Sequence, residues 1–155
     1  MQIIKSTKII SPEYIAGVFD SDGSITIARR HLGTRKQASY CPCLQLQWKY
    51  SPLAAQVMQE IKERYGGSIC LPAISAGSLG KNQTIKYTVA SKMSKTLLTD
   101  IIPYLRLKKQ QAELALKLVL INTDRFYAGR GAGRPDIAFC HNIWEEVKIL
   151  NKGIK

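Results

Sequence analysis

The chain has 155 residues and carries 23 Lys and Arg against 11 Asp and Glu, a formal net charge of +12. With 45% hydrophobic residues it can fill a core, which excludes global disorder, and its length suits one domain over 1–155. The basic excess points to a polyanion partner, nucleic acid first, against the plainer alternative of a solvated basic surface; no apolar run approaches the roughly 18 residues of a membrane span.

Ser11-Pro12-Glu13 opens a helix: Ser caps, Pro suits the first turn, and Glu favours the positive end of the dipole. It is expected to run from Pro12 to Phe19 or Asp20, with Gly23 ending it. Ile25 and Ile27 then alternate with Ser24, Thr26 and Ala28. Beyond a turn centred on Gly33, Leu44, Leu46 and Trp48 alternate with Cys43, Gln45, Gln47 and Lys49. Period two in both runs predicts an antiparallel hairpin with one apolar face. A second helix starts at Ser51-Pro52, carries a stripe of Leu53, Val57, Met58, Ile61 and Tyr65, and stops at Gly66-Gly67. Strands are expected over 68–75 and 83–91, with Ile85, Tyr87 and Val89 alternating with Thr84, Lys86 and Thr88. Three helices follow: 91–105 with a break at Pro103, 106–123, and 137–152 after a Gly/Arg-rich loop. The order α-β-β-α-β-β-α-α-α is an α+β pattern.

Cys41, Cys43, Cys70 and Cys140 show no CxxC spacing, and no histidine stands where it would complete a zinc knuckle. With no leader segment visible, reduced thiols in an intracellular, reducing compartment, cytoplasm or organelle matrix, are the expectation.

The sharpest chemical signal is Asp20-Ser21-Asp22-Gly23. Two carboxylates beside a helix end can approach a divalent cation, and magnesium needs only one or two of them because it keeps several waters. Asp-Ser-Asp-Gly is equally a good turn sequence. Ala16 and Gly17 just before it are small, so another backbone can approach this helix.

The string IAGVFDSDG, Ile15 to Gly23, resembles the LAGLIDADG motif of homing endonucleases at every position, with Ile15 at the usual Leu and Ser21 at the small site. PYLRLKKQQAELALKL, Pro103 to Leu118, is similar to a later segment of the single-motif members. The resemblance covers a core of about 8–122 and leaves a C-terminal loop and helix over 123–155. It implies an antiparallel, saddle-like sheet and motif helices packed together at a two-fold axis through Ile15, Ala16, Gly17 and Phe19. It implies that Asp22 binds the catalytic metal, with help from the Ser21 carbonyl. Asp20 is counted with Asp22 and Ser21 among the metal-site residues, in a more structural, capping role. Lys108 maps to a basic residue near the scissile phosphate, suited to stabilising charge. Relatives often carry a water-organising Gln at the strand-to-helix junction; Tyr50 stands there, with Gln47 and Lys49 nearby, and the choice among them stays open.

One motif supplies one Asp22, so a two-metal centre needs two chains. The resemblance therefore implies a homodimer making a double-strand break in a pseudo-palindromic DNA site. Mg2+ is the expected cofactor; Mn2+ should be tolerated, and Ca2+ should support binding without cleavage. By strand parity the groove-facing side chains are Ser24, Thr26, Ala28, Arg30, Cys43, Gln45, Gln47, Lys86 and Thr88, and Lys49 joins them as a DNA contact, with an ordinary wet sheet face as the alternative. Arg29, Arg35, Lys36, Lys81, Lys109, Arg130 and Arg134 are phosphate contacts or plain solubilising charges. Trp48, Trp144 and His141 read as packing residues. Two rivals stand beside the nuclease: a nuclease-inactive binder, such as an intron RNA maturase or a transcription regulator, and a ribosomal-type basic protein.

Overall fold

The computed structural model describes residues 10–31, 38–71, 83–127 and 136–153. The elements are α1 (Pro12–Ser21), β1 (Gly23–His31), β2 (Ala38–Lys49), α2 (Pro52–Tyr65), β3 (Ser68–Cys70), β4 (Thr84–Ala90), α3 (Ser94–Ile101), α4 (Lys109–Tyr127) and α5 (Ile137–Gly153). This is the α+β order read from the sequence. All pairings are antiparallel, and the four-stranded sheet runs β1-β2-β4-β3.

Local chemistry sets the boundaries. Ser11 Oγ accepts from the Tyr14 amide and Ser51 Oγ from the Ala54 amide, so each first turn has a side-chain cap followed by proline. Gly66 and Gly67 stop α2 at φ +75° and +93°, a region that costs other residues heavily. Gly23 acts differently from expectation. Asp22 is the cap of α1, and Gly23 already begins β1; a Cβ there would lie 2.4 Å from Phe19 Cδ1. Close packing, not a left-handed turn, requires that glycine.

Pro103 lacks an N–H, so α3 ends at Ile101 and passes into a 3-10 turn over Ile102–Tyr104. The expected helix start at Ser91 is likewise a 3-10 turn, Ser91–Met93. In α2, Met58, Ile61 and Tyr65 are buried and Val57 half-buried, but Leu53 is 69% exposed and leaves the predicted stripe. Ala54 packs against the core in its stead. β3 is shorter than predicted at Ser68–Cys70, and residues 72–82 lie outside the described ones.

The helices gather on one side of the sheet. Ile25, Leu44, Leu46, Ile85, Tyr87 and Val89 point into a core closed by Ile15, Ala16 and Phe19 of α1, Met58 and Ile61 of α2, and Leu97, Leu98 and Ile101 of α3. Each fully buried aliphatic side chain contributes about 1.5–3 kcal/mol. A second cluster, built on Ile27, Tyr40, Leu118, Cys140, Ile143 and Val147, seats α5 over β1. Asn151 Nδ2 donates to the Ile25 carbonyl (3.0 Å), so α5 engages the edge strand directly. Tyr40 Oη and His141 Nδ1 are 2.9 Å apart, and Trp144 packs on both rings. None of the four cysteines forms a disulfide. Among the described residues no helix is long and apolar enough to cross a membrane.

Tyr65, 5% exposed, donates its hydroxyl to Asp100 Oδ2 at 2.9 Å, and Arg64 pairs with the same oxygen at 3.3 Å. Burial, together with the hydrogen bond to the Asp100 carboxylate, pushes the phenol from 10.0 up to about 12. A raised folded-state pKa favours the protonated fold. This contribution is complete below the unfolded pKa near 10 and is lost as pH climbs toward 12. Tyr65→Phe should lower stability at neutral pH by about 1 kcal/mol. The gap to the parent chain should narrow between pH 10 and 12 in urea titrations, where only the parent pays this penalty.

Candidate functional site

α1 runs from the core to the start of β1, and both acids lie at that end. Their environments separate them. Asp20 Oδ2 accepts from the Arg106 amide at 2.8 Å and Oδ1 from the Lys108 amide at 3.0 Å. Both oxygens thus tie α1 to the turn before α4. These contacts describe an anchor, the capping and positioning role implied for this residue, and not an open metal ligand. They also explain why α4 begins at Lys109 instead of Arg106: the amides of Arg106 and Lys108 are held by the carboxylate.

Asp22 is exposed. Its Oδ2 accepts from Trp48 Nε1 at 3.2 Å, and its Oδ1 has no protein partner among the described residues. No group of three or more His, Cys, Asp or Glu side chains among those residues could hold a metal ion. At this end of α1 the described residues of one chain thus offer a cation one open carboxylate, that of Asp22. That donor fits a hard ion such as magnesium, whose remaining ligands are water and substrate oxygens. The Ser21 carbonyl lies one residue away at the end of α1.

Lys108 is 7% exposed. Its Nζ donates to the carbonyls of Phe19 (2.7 Å), Asp20 (2.9 Å) and Gly23 (2.7 Å). All three N–H bonds of the ammonium are committed to the carboxyl end of α1 and the first residue of β1. A cation there complements the negative end of the helix dipole. Burial pulls its pKa down, and the negative charges of Asp20 and Asp22 pull it back up. The expected contact with a scissile phosphate is not the one these bonds make; the ammonium fixes the backbone that carries Asp22.

Gln47 and Tyr50 stand at the same end. The β1–β2 ladder closes at Gly23↔Leu46, so continuing the register sets Gln47 level with Asp22. Gln47 is exposed and donates to Thr84 Oγ1 at 3.4 Å. Tyr50, 42% exposed, follows the strand, and its amide donates to the Gln83 carbonyl.

The sheet face away from the helices carries the predicted groove residues. Ser24 pairs with Gln45 and Gln45 with Thr88; Thr26 pairs with Cys43; Gln47 pairs with Lys86. Ala28 and Arg30 lie along β1, and Lys49 ends β2 opposite Thr84. The register adds Ser39, Cys41, Ser68, Cys70, Thr84 and Ala90 to that face. Among the described residues it bears Arg30, Lys49 and Lys86 and no carboxylate. Arg35, Lys36, Lys81, Arg130 and Arg134 lie outside the described residues. Arg29 stacks its guanidinium 5.4 Å from the Trp144 ring centroid, and Lys109 is exposed.

The expected helix-helix face needs correction. Ile15, Ala16 and Phe19 are 0% exposed because the chain's own core takes them. Of the four residues expected there, Gly17 alone is exposed, and a Cβ added to it would meet nothing within 4 Å. Tyr14 and Ser21 are exposed and Val18 half-buried on the same side of α1.

Lys108→Met should lower unfolding free energy by about 3 kcal/mol, since two buried carbonyls and one part-buried carbonyl lose a charged donor. Lys108→Arg should not restore it, because a planar fork cannot reach three convergent acceptors. Urea denaturation of both variants checks this.

Comparison of the sequence with protein-family models and with curated proteins finds no match. Solved structures do match. The homing endonuclease I-CvuI in complex with its target, in the presence of Ca, superposes with a TM-score of 0.68 at 17% identity, over 90% of this chain and 80% of that one. The LAGLIDADG homing endonuclease I-GzeII in complex with its DNA target gives 0.58 at 18% identity, over 91% of this chain and 43% of that one. The meganuclease I-SmaMI bound to uncleavable DNA gives 0.58 at 16% identity, over 96% and 46%. With the motif at Ile15–Gly23, the sheet order and these superpositions together, the chain has the LAGLIDADG homing endonuclease fold.

Proposed function

We propose that this chain is one subunit of a homodimeric, metal-dependent DNA endonuclease that cuts both strands of a long pseudo-palindromic site. One observation carries it: an exposed Asp22 carboxylate, with one oxygen unengaged by any described residue, stands at the end of a sheet face that bears positive charge and amides but, among the described residues, no acid. Solved neighbours of this fold are homing endonucleases bound to DNA targets. This chain spans 43% of the I-GzeII chain and 46% of the I-SmaMI chain. Two copies would make up a protein of that size.

The sheet face would sit in the major groove, which admits a β-ribbon. Gln45 and Gln47 can hydrogen-bond adenine, and Arg30 or Lys86 guanine, while other basic side chains contact phosphates. Two Asp22 carboxylates, brought together across the α1 helices with the Ser21 carbonyls, would hold divalent ions over the scissile phosphates. Magnesium there supplies activation of water and neutralisation of phosphate charge. Gln47 or Tyr50 would order the hydrolytic water, and Lys108 keeps the Asp22 backbone in place.

A randomised duplex library, selected for binding in Ca2+ and then transferred to Mg2+, tests this. Both strands of bound duplexes should be cut in Mg2+ alone, and Asp22→Asn should bind without cutting. Binding without cleavage in either ion would make the chain a nuclease-inactive binder instead.

The dimer has its own test. Gly17→Leu fills open space on the subunit, and leucine is the better helix former by roughly 0.8 kcal/mol, so the chain should stay folded. It should also keep two α1 helices apart. Sedimentation on a selected duplex should then show single subunits, with double-strand cleavage lost. Unchanged cleavage by this variant would remove α1 from the interface.

A further inference from the structure

We propose that Trp48 is a positioning residue for Asp22, its indole N–H holding one carboxylate oxygen so that the other is presented to the divalent ion. This rests on the metal-dependent reading above and extends it to a residue outside the motif.

Asp22 extends from the end of a helix into solvent, and an exposed carboxylate there is free to turn about its own bonds. The one side chain among the described residues that hydrogen-bonds to it is Trp48, with Nε1 at 3.2 Å from Oδ2. Trp48 is well suited to hold still. Its ring is half-buried against the main core and stands opposite Ile85 in the β2–β4 ladder. Strand register therefore sets where the N–H points. The indole is a donor only and carries no charge. It can fix one oxygen without neutralising the carboxylate and without competing as a ligand. The other groups nearby cannot do this. Lys108 spends its three donors on carbonyls, and Asp20 is occupied by two amides.

Donors that orient a metal-bound side chain typically change metal affinity by about 10- to 100-fold when removed. Trp48→Phe keeps an aromatic ring against the core but removes the N–H together with the five-membered half of the indole, so its fold is checked by urea denaturation. In the complex with a selected duplex, its affinity for Mn2+, measured by electron paramagnetic resonance of the free ion, should fall about 10-fold or more. Duplex affinity in Ca2+ should change less. Unchanged Mn2+ affinity in folded Trp48→Phe would overturn the proposal.

A second measurement leaves Trp48 intact. The chain has two tryptophans, so Trp144→Phe leaves Trp48 as the sole indole. Paramagnetic Mn2+ at Asp22 should quench its fluorescence, and adding Asp22→Asn should abolish the quench. Mn2+ binding that depends on Asp22 but leaves Trp48 fluorescence unchanged would sink the role of Trp48 while sparing the metal site. If Asp22→Asn takes away no Mn2+ binding from the complex, the metal-site reading itself fails, and this proposal with it.

Discussion

The structure turns on a buried ammonium. Lys108 reaches across from the turn before α4 and gathers the carbonyls of Phe19, Asp20 and Gly23. In the same place Asp20 reaches the other way and takes two amides of that turn. The two side chains form a reciprocal clasp between segments some ninety residues apart, each satisfying backbone groups that a helix end would otherwise leave without partners. The clasp grips the backbone on both sides of Asp22, the acid of the pair whose carboxylate is left open. A flexible solvent-facing tip would carry the same carboxylate with far less definition.

The second constraint is segregation. α1, α2 and α3 lie on one face of the sheet, and period-two alternation sends every other strand residue to the opposite face. The bare face is thus a consequence of how the core is closed. Its polarity follows from the strand sequences, in which small, amide and basic residues occupy the outward parity. The exclusion of acids from it is the electrostatic condition for lying against phosphate. α5 extends the scaffold at the β1 edge through a separate apolar cluster and keeps its own aromatic residues, Trp144 and His141, off that face.

Much of this was legible in the sequence, and the exceptions have physical causes. Periodicity and caps located the helices because Ser-Pro starts and Gly-Gly stops are local chemistry. β2 begins earlier than its alternation suggested because Pro42 disguises it. β4 ends opposite Cys43, so at Pro42 the strand has a neighbour on one side only, a condition under which proline is tolerated. Extending parity through Pro42 adds Cys41 and Ser39 to the outer face. The size of Ala16 suggested an interface, yet helical geometry sends Ile15, Ala16 and Phe19 to the same core-facing side. Trp48 read as core, which its ring is; its N–H on Asp22 depends on register across the hairpin, and register is not written in either strand alone. Lys108 was located by its motif, but only the folded chain shows that its charge is spent on backbone.

The open side of α1 links these points to assembly. The helix is anchored to its own core along one side, while Tyr14, Gly17 and Ser21 on the other are uncovered. α1 also ends at Asp22. On the proposed reading, a second copy covering that side about a two-fold axis must bring its own Asp22 to the same place. Dimer formation and completion of the metal site would then be one event. A single chain, holding one free carboxylate, could bind DNA through its sheet face but would lack half of the ligand set. On that reading, cleavage would be confined to duplexes long enough, and symmetric enough, to seat both sheets at once.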